Sequence, residues 1–425
     1  MLYETIWKPS LNVFTLNNKI PLGMNSYKGQ TKDKIIALPY YKYSGATGII
    51  GESGSGKTRI SKRVYSYMLG FYQPLYKRRR PGLILDMTSD DHHWSRFPNS
   101  SPRHLFYDQG ERPIGFDNLK CYCPVFIGNE AHFFDSLFGF SVDQFDFRDF
   151  LSLGMGAGAA KMLEQLIKDN SDKIKNIETF FQAILDLPVN TTELKRLPKD
   201  YIFDLQMFKN FSSKQSLLEG FTPAYNDAVF INSFDKRCRN KIIYELTKEV
   251  IIVINFHQEE RYYSTYAGKI LKDLYLARRA SKRAEDKGEK GFFPPPIIII
   301  EEADKLVPIE AFGKMSGAAY WLLEILKRGR RYDFMTLVIT QEASAMSEKI
   351  RDHTRQWIIG KLAAKDYEYF SRFLSSDAMN AIRKLDKSKF EFCLVYDNNS
   401  FDTFYAWDSP LECNRETEMK KGAAI

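Results

Sequence analysis

The sequence predicts an α/β fold with a mainly parallel central sheet, and three observations predict it. Short strands that are apolar throughout alternate with helical stretches along residues 46–129 and 246–400, the pattern of a sheet buried on both faces. One such strand, residues 47–50, runs into a glycine-rich loop and then a helix. Another, the isoleucine run 297–300, ends in Glu301-Glu302, so charged groups gather at strand carboxyl ends, where such sheets bind ligands.

The chain has 425 residues, 44% hydrophobic and 27% charged, an ordinary globular composition with room for domains of ~100–200 residues. No apolar stretch approaches the ~18 residues of a membrane span. The N-terminal MLYETIWKPSLNVF lacks the apolar core of a signal peptide, which places the protein in the cytoplasm. Its 5 cysteines include no CxxC pair and no paired Cys/His ligand spacing, which argues against a structural zinc site. His92-His93 reads as a polar loop after a strand. Lys and Arg total 61 against 53 Asp and Glu, a net charge of +8 that favours an anionic partner.

Residues 1–45 read as a short β-rich segment decorating the next domain. Residues 12–16 alternate, Asn17-Asn18 signals a turn, and 34–38 are a second strand candidate. Strand 47–50, loop 51–56, a helix over 57–69 and strand 82–85 ending at Asp86 form a βαβ unit that opens the core, 46–129. The basic turn Lys77-Arg78-Arg79-Arg80 within it reads as surface, with nucleic-acid contact as the alternative. Residues 130–245 read as an α-helical insertion, with helical apolar spacing over 149–168 and 177–187. Gly154, Gly156 and Gly158 follow no strand, so close helix packing accounts for them better than a phosphate loop. The sheet resumes at 249–254. A helix over 262–284 carries a second basic run from Arg278 to Arg283, read as a solvated helix end. Pro294-Pro295-Pro296 leads into strand 297–300; a helix over 318–331 and strands at 335–339, 356–359 and 390–395 complete the core to residue 400. Residues 401–425 are left as a C-terminal tail.

Gly51-Glu52-Ser53-Gly54-Ser55-Gly56-Lys57-Thr58 satisfies G-x-x-x-x-G-K-[ST] in full, between the strand and helix that the pattern requires. Glycines let backbone N–H groups curl round phosphates, and the helix N-terminus adds positive partial charge. Lys57 is expected to reach the β- and γ-phosphates of ATP, and Thr58 to hold Mg²⁺ through its hydroxyl. Glu301 is expected to support Mg²⁺ and Glu302 to polarise the attacking water. Gln341, at the end of the following strand, is expected to orient that water or sense hydrolysis. Asp86 stands near the nucleotide at another strand end. Arg330 and Arg331, clustered with Arg328, are candidates to reach a nucleotide held by a neighbouring subunit, as arginine fingers do; Arg351 and Arg355 are lesser candidates.

Together these motifs resemble the HerA–FtsK superfamily of ring-shaped DNA-pumping ATPases, nearest its HerA side. Residues 48–58, GIIGESGSGKT, resemble its Walker A. Glu301-Glu302-Ala303-Asp304 is similar to its EEAH signature, with Asp304 in place of His. Gly329-Arg330-Arg331-Tyr332-Asp333, followed by Leu337-Val338-Ile339-Thr340-Gln341, is similar to its GRKYG…TQ segment, with Asp333 in place of Gly. The resemblance covers roughly 20–125 and 245–400. It implies a RecA-like P-loop NTPase core of the additional-strand, catalytic-glutamate class, with ATP and Mg²⁺ as cofactors. It also implies a homo-hexameric ring with nucleotide between subunits, and double-stranded DNA as the threaded partner. The segment before the phosphate-loop strand is too short for the full N-terminal barrel of cellular HerA, so a nuclease partner stands beside a packaging or secretion partner. Two rival classes are a conjugation or secretion ATPase and a nucleotide-gated assembly or signalling module without translocation.

Overall fold

A computed structural model describes residues 19–26, 34–39, 45–70, 72–73, 78–87, 93–96, 99, 115–127, 134–174, 176–185, 240–257, 260–308, 317–396, 400–409 and 411. The strand expected over 12–16, the turn at Asn17-Asn18, Lys77, His92 and residues 186–239 of the insertion lie outside them.

Strands β1 (Lys19–Asn25) and β2 (Ile35–Pro39) precede β3 (Ala46–Ile50), which is buried along its whole length. Helix α1 (Lys57–Gly70) follows the glycine-rich loop. A ribbon of β4 (Tyr72–Gln73) and β5 (Arg78–Arg79) leads to β6 (Gly82–Asp86). Then come β7 (Leu119–Pro124), β8 (Ser136–Phe138), α2 (Phe147–Ser152), α3 (Ala157–Asp169), α4 (Ile177–Leu185) and α5 (Asn240–Leu246). The second part of the core begins with β9 (Ile251–Asn255), α6 (Glu260–Asp286), β10 (Ile297–Ile300), α7 (Ala303–Leu306), α8 (Gly317–Tyr332) and β11 (Met335–Thr340). It ends with α9 (Glu348–Asp352), β12 (Thr354–Ile359), α10 (Ala364–Ser371), α11 (Ser376–Arg383), β13 (Glu391–Val395) and β14 (Phe401–Ala406).

All strands but β4 and β5 form one 12-stranded sheet in the order β2-β1-β14-β13-β12-β3-β11-β10-β6-β9-β7-β8. Pairing is parallel from β12 through to β8 and antiparallel from β12 out to β2. Residues 401–406, expected in a tail, are instead a sheet strand: β14 pairs with β13 on one side and β1 on the other. The N-terminal strands therefore hang on the last of the described strands. The insertion also differs from expectation, since β8 extends the parallel sheet beside β7.

The isoleucine run shows why the core strands are apolar throughout. Ile298 and Ile300 face one core, with Leu83, Leu85, Ile252 and Ile254; Ile297 and Ile299 face the other, with Ile84, Ile251 and Val253. The first core lies under α6 and α8, through Tyr266, Leu271, Leu274, Leu322 and Ile325; the second lies under α1, through Ile60, Val64 and Met68. Burying each such side chain contributes about 1.5–3 kcal/mol. Close helix packing occurs at Gly268 of α6, where a Cβ would stand 2.7 Å from the Ala318 nitrogen of α8. It does not explain Gly154, where a Cβ would meet nothing within 4 Å. Gly154 adopts φ +85° between α2 and α3 and stops the first helix, the usual role of a left-handed glycine.

Both basic runs hold structural arginines, contrary to their reading as solvated surface. Arg80 is buried, donating to the carbonyls of Pro295 (2.8 Å), Pro296 (3.2 Å) and Asp333. Arg278 is also buried, donating to Glu285 (2.5 Å) and to the carbonyls of Tyr332 (2.8 Å) and Phe293 (3.0 Å). Asp333, which replaces the glycine of the resembling motif, has φ +59° and gives Arg278 a carboxylate at 3.2 Å. Aspartate tolerates this left-handed backbone better than most residues, so the substitution keeps the turn and adds an ion pair.

Candidate nucleotide site

The sheet order brings the two chemical segments together. β11 lies between β3 and β10, parallel to both. With strands ~4.8 Å apart, the loop after β3 and the acids after β10 emerge about 10 Å from each other on one edge. Gln341 leaves the strand between them.

Gly54 and Gly56 adopt φ +74° and +90°, a backbone that side-chain-bearing residues adopt at a cost. Gly51 has no room for more: a Cβ there would stand 2.6 Å from Ser55 Oγ. At Gly56 it would stand 2.6 Å from the Phe390 ring. Ser55 is buried, and its Oγ has no hydrogen-bond partner. Thr58 is exposed in the first turn of α1, where helical N–H groups lack intrahelical acceptors. The Lys57 ammonium lies back on its own loop, donating to the carbonyls of Gly51 (2.6 Å) and Glu52 (3.3 Å). Burial lowers its pKa from 10.5, while the charges of Glu301, Glu302 and Asp304 hold it up.

Glu301 is buried, and its carbonyl accepts from the Tyr263 hydroxyl at 3.2 Å. Burial pushes the Tyr263 phenol well up, and Asp86, Glu301, Glu302 and Asp304 push it further, so one buried ring senses all four acids. Asp86 is buried at the end of β6, and its carbonyl accepts from Phe256 N at 2.9 Å. Glu302 sits at φ +48°, ψ +54° just before α7. Its carboxylate pairs with Lys305 at 2.7 Å and accepts from Gln341 Nε2 at 3.1 Å. Asp304, in place of the motif's histidine, accepts from Thr340 Oγ1 at 2.5 Å and ties α7 to the end of β11. Burial raises its carboxyl.

Lys57, Glu301, Glu302, Gln341 and Asp86 thus meet at one sheet edge. The arginines do not join them. Arg330 and Arg331 are exposed in the last turn of α8, before β11 begins, and β11 separates them from this edge by about 17–20 Å at ~3.3 Å per residue. Arg351 lies over the Tyr369 ring at 4.7 Å and pairs with Asp352 at 2.8 Å.

Sequence reasoning missed Tyr263, Lys387 and Phe390, and it gave Thr340 no role beyond its place at the strand end. Phe390 packs on Gly56, with the Arg59 guanidinium 4.6 Å from its ring centre. Lys387 pairs with Glu52 at 3.3 Å. No local motif marks either residue; the β12–β13 pairing carries them to the loop.

A nucleoside triphosphate with Mg²⁺ fits these residues. The two left-handed glycines and the start of α1 form an anion-binding nest, Lys57 supplies a cation, and Thr58 and Glu301 offer the hard oxygen donors that Mg²⁺ takes.

No protein-family model matches the sequence, and no curated protein matches it. Solved structures do. VirB4 of Thermoanaerobacter pseudethanolicus matches with a TM-score of 0.51 and 13% identity, over 92% of this chain and 96% of that one. The bacterial conjugative coupling protein TrwB matches with a TM-score of 0.54 and 11% identity, over 93% of this chain and 96% of that one. The genome packaging NTPase B204 of Sulfolobus turreted icosahedral virus 2 matches over 39% of this chain and 72% of that one, at 14% identity and a TM-score of 0.28, too low to add weight. The two likenesses, each over nearly the whole chain, show the fold: a RecA-like α/β core with a P-loop, in keeping with the HerA–FtsK resemblance of its motifs.

Proposed function

We propose that the protein is an ATPase of the ring-forming, DNA-translocating kind, hydrolysing ATP between subunits to move double-stranded DNA. One observation carries the reading. Lys57 and the Glu301–Glu302 pair, far apart in sequence, share one electrostatic neighbourhood at the edge of a buried sheet. In this reading the loop from Gly51 to Gly56 and Lys57 hold the phosphates, and Thr58 and Glu301 hold Mg²⁺. Bound Mg²⁺ would neutralise phosphate charge. Glu302 takes a proton from the attacking water, and Gln341 keeps that carboxylate in place. Arg330 or Arg331 of one subunit serves the nucleotide of the next, since neither lies near its own. The domain plan follows: a core of 46–129 and 246–400, a 130–245 insertion, and an antiparallel wing made by the two ends of the chain.

A second reading has its own support. The structures matched along nearly their whole length are VirB4 and a conjugative coupling protein, which favours a conjugation or secretion ATPase. Among the described residues no helix is long and apolar enough to cross a membrane.

ATP hydrolysis with and without duplex DNA, paired with particle imaging, tests both. The motor reading expects rings, duplex-stimulated turnover that weakens as salt rises, and loss of ATPγS binding in Lys57→Ala. Normal turnover by that variant refutes the site. Turnover indifferent to DNA refutes the motor and leaves the secretion class.

A further inference from the structure

We infer that Lys387 is a second phosphate-binding lysine, held over the glycine-rich loop by Glu52 until a polyphosphate displaces that carboxylate. The inference rests on the ATPase reading of the site. Lys387 opens a short 3-10 turn, Lys387–Lys389, between α11 and β13. The turn is a built support. Asp386 accepts from Ser388 N at 3.0 Å, Glu391 accepts from Asp386 N at 3.0 Å, and Phe390 closes the turn at φ +50°. Phe390 in turn seats on Gly56, with the Arg59 guanidinium 4.6 Å from its ring centre. The backbone that carries Lys387 is therefore docked on the phosphate loop itself.

The side chain continues onto the loop. Its Cε stands 3.3 Å and its Nζ 3.6 Å from where a Gly54 Cβ would be, so the ammonium lies over the rim of the nest. Its charge is felt at Lys57, whose pKa it helps to depress. Two ammonium groups on one small loop repel each other; Glu301, Glu302 and Asp304 act on Lys57, while the carboxylate paired with Lys387 is Glu52, at 3.3 Å. A pair 42% and 37% exposed binds weakly, whereas a triphosphate carries several charges and accepts charge-assisted bonds. Exchanging Glu52 for phosphate thus relieves the repulsion and engages both lysines. Gly54 fits this role, because a side chain there would crowd Lys387 away from the loop.

The test is titration of the full chain with ATPγS and Mg²⁺, for wild type, Lys387→Ala, Glu52→Gln and the double variant. Lys387→Ala is expected to weaken ATPγS about tenfold, a charge-assisted bond discounted for exposure, and to lower the salt dependence of binding. Glu52→Gln is expected to strengthen binding about two- to threefold in wild type and to do nothing once Lys387 is gone, the signature of coupled residues. If Lys387 merely braces the loop through Glu52, both single variants shift affinity in the same direction, and the inference is overturned. It is overturned equally if Lys387→Ala binds like wild type while Lys57→Ala fails to bind. Wild type that does not bind ATPγS removes the ATPase reading and this inference with it.

Discussion

Glu302→Gln separates chemistry from folding at the candidate site. The change is isosteric and removes one negative charge. A positioned general base contributes about 10²- to 10⁴-fold to a rate, or about 3–5 kcal/mol of barrier. The structural loss is much smaller. The Lys305 partner is 33% exposed and lies one helical turn away, a pair worth about 1 kcal/mol or less. The amide keeps an oxygen to accept from Gln341 Nε2. Folding stability should therefore change by about 1 kcal/mol at most, too little to mimic the catalytic loss. The backbone supplies a second control. Glu302 sits in the left-handed region at φ +48°, where a non-glycine residue costs about 1–2 kcal/mol, so Glu302→Gly should be at least as stable as wild type and equally slow. Single-turnover phosphate release at saturating ATP and Mg²⁺ is the assay, with urea melts and ATPγS titrations alongside. Hydrolysis by Glu302→Gln at the wild-type rate would refute the reasoning, as would a rate loss that follows lost stability in both variants.

The alkaline limb of nucleotide binding should report on Lys57. Burial holds its pKa below 10.5, and Glu301 is the largest influence holding it up. Only the protonated ammonium binds phosphate, so ATPγS affinity should fall with rising pH before the ordinary lysine range. Glu301→Gln should move that fall to lower pH, and an unmoved midpoint would show that Glu301 is not felt at Lys57. Gly268→Ala places a methyl group against backbone atoms of α8 at 2.7 and 2.9 Å. It should cost about 1–3 kcal/mol, read as a lower urea midpoint, despite its better helix propensity. Subunits carrying Arg330→Ala and Arg331→Ala, mixed into wild type, should depress hydrolysis more than in proportion if either arginine acts across a boundary; linear dilution would count against that role.

The strands that sequence reading located best are those whose burial is complete. Ile297–Ile300 begins and ends where the isoleucines do, because a strand covered on both faces needs no alternation to mark it. The glycine-rich loop was legible because φ +74° and +90° demand glycine. β14 was not legible. Its sequence, FDTFYA, is half exposed, and its partners β1 and β13 come from the two ends of the chain. The break between α2 and α3 was missed because apolar spacing runs across it unbroken, and backbone geometry at Gly154 (φ +85°) and the extended Gly156 interrupts the helix. Glu302, Gln341, Asp304 and Thr340 were placed at strand ends by motif. Their hydrogen bonds to one another depend on which strands are neighbours, and no local pattern carries that information.

Net charge is the reading that the structure qualifies most. Counted as a total, the basic residues favour an anionic partner, but Lys62, Arg63, Arg80, Lys269 and Arg278 are all buried. Arg63 donates to the Pro21 carbonyl at 2.7 Å, and Lys269 pairs with the buried Asp149 at 3.0 Å. These charges hold the fold together and are lost to any polyanion. Lys327, Arg328, Arg330 and Arg331 of α8 and Arg283 of α6 remain exposed. Both helices end at the amino edge of the parallel strands, as the Lys282–Asp333 approach of 3.8 Å shows. A grip on DNA built from them would lie a full strand length from the ATP of the same subunit. Hydrolysis could then reach it in two ways, by a shift of α8 against β11 or by contact with the next subunit's nucleotide. In the ring reading, Arg330 and Arg331, exposed and about a strand length from their own phosphate loop, act by the second route, and the mixing of variant with wild-type subunits decides between the two.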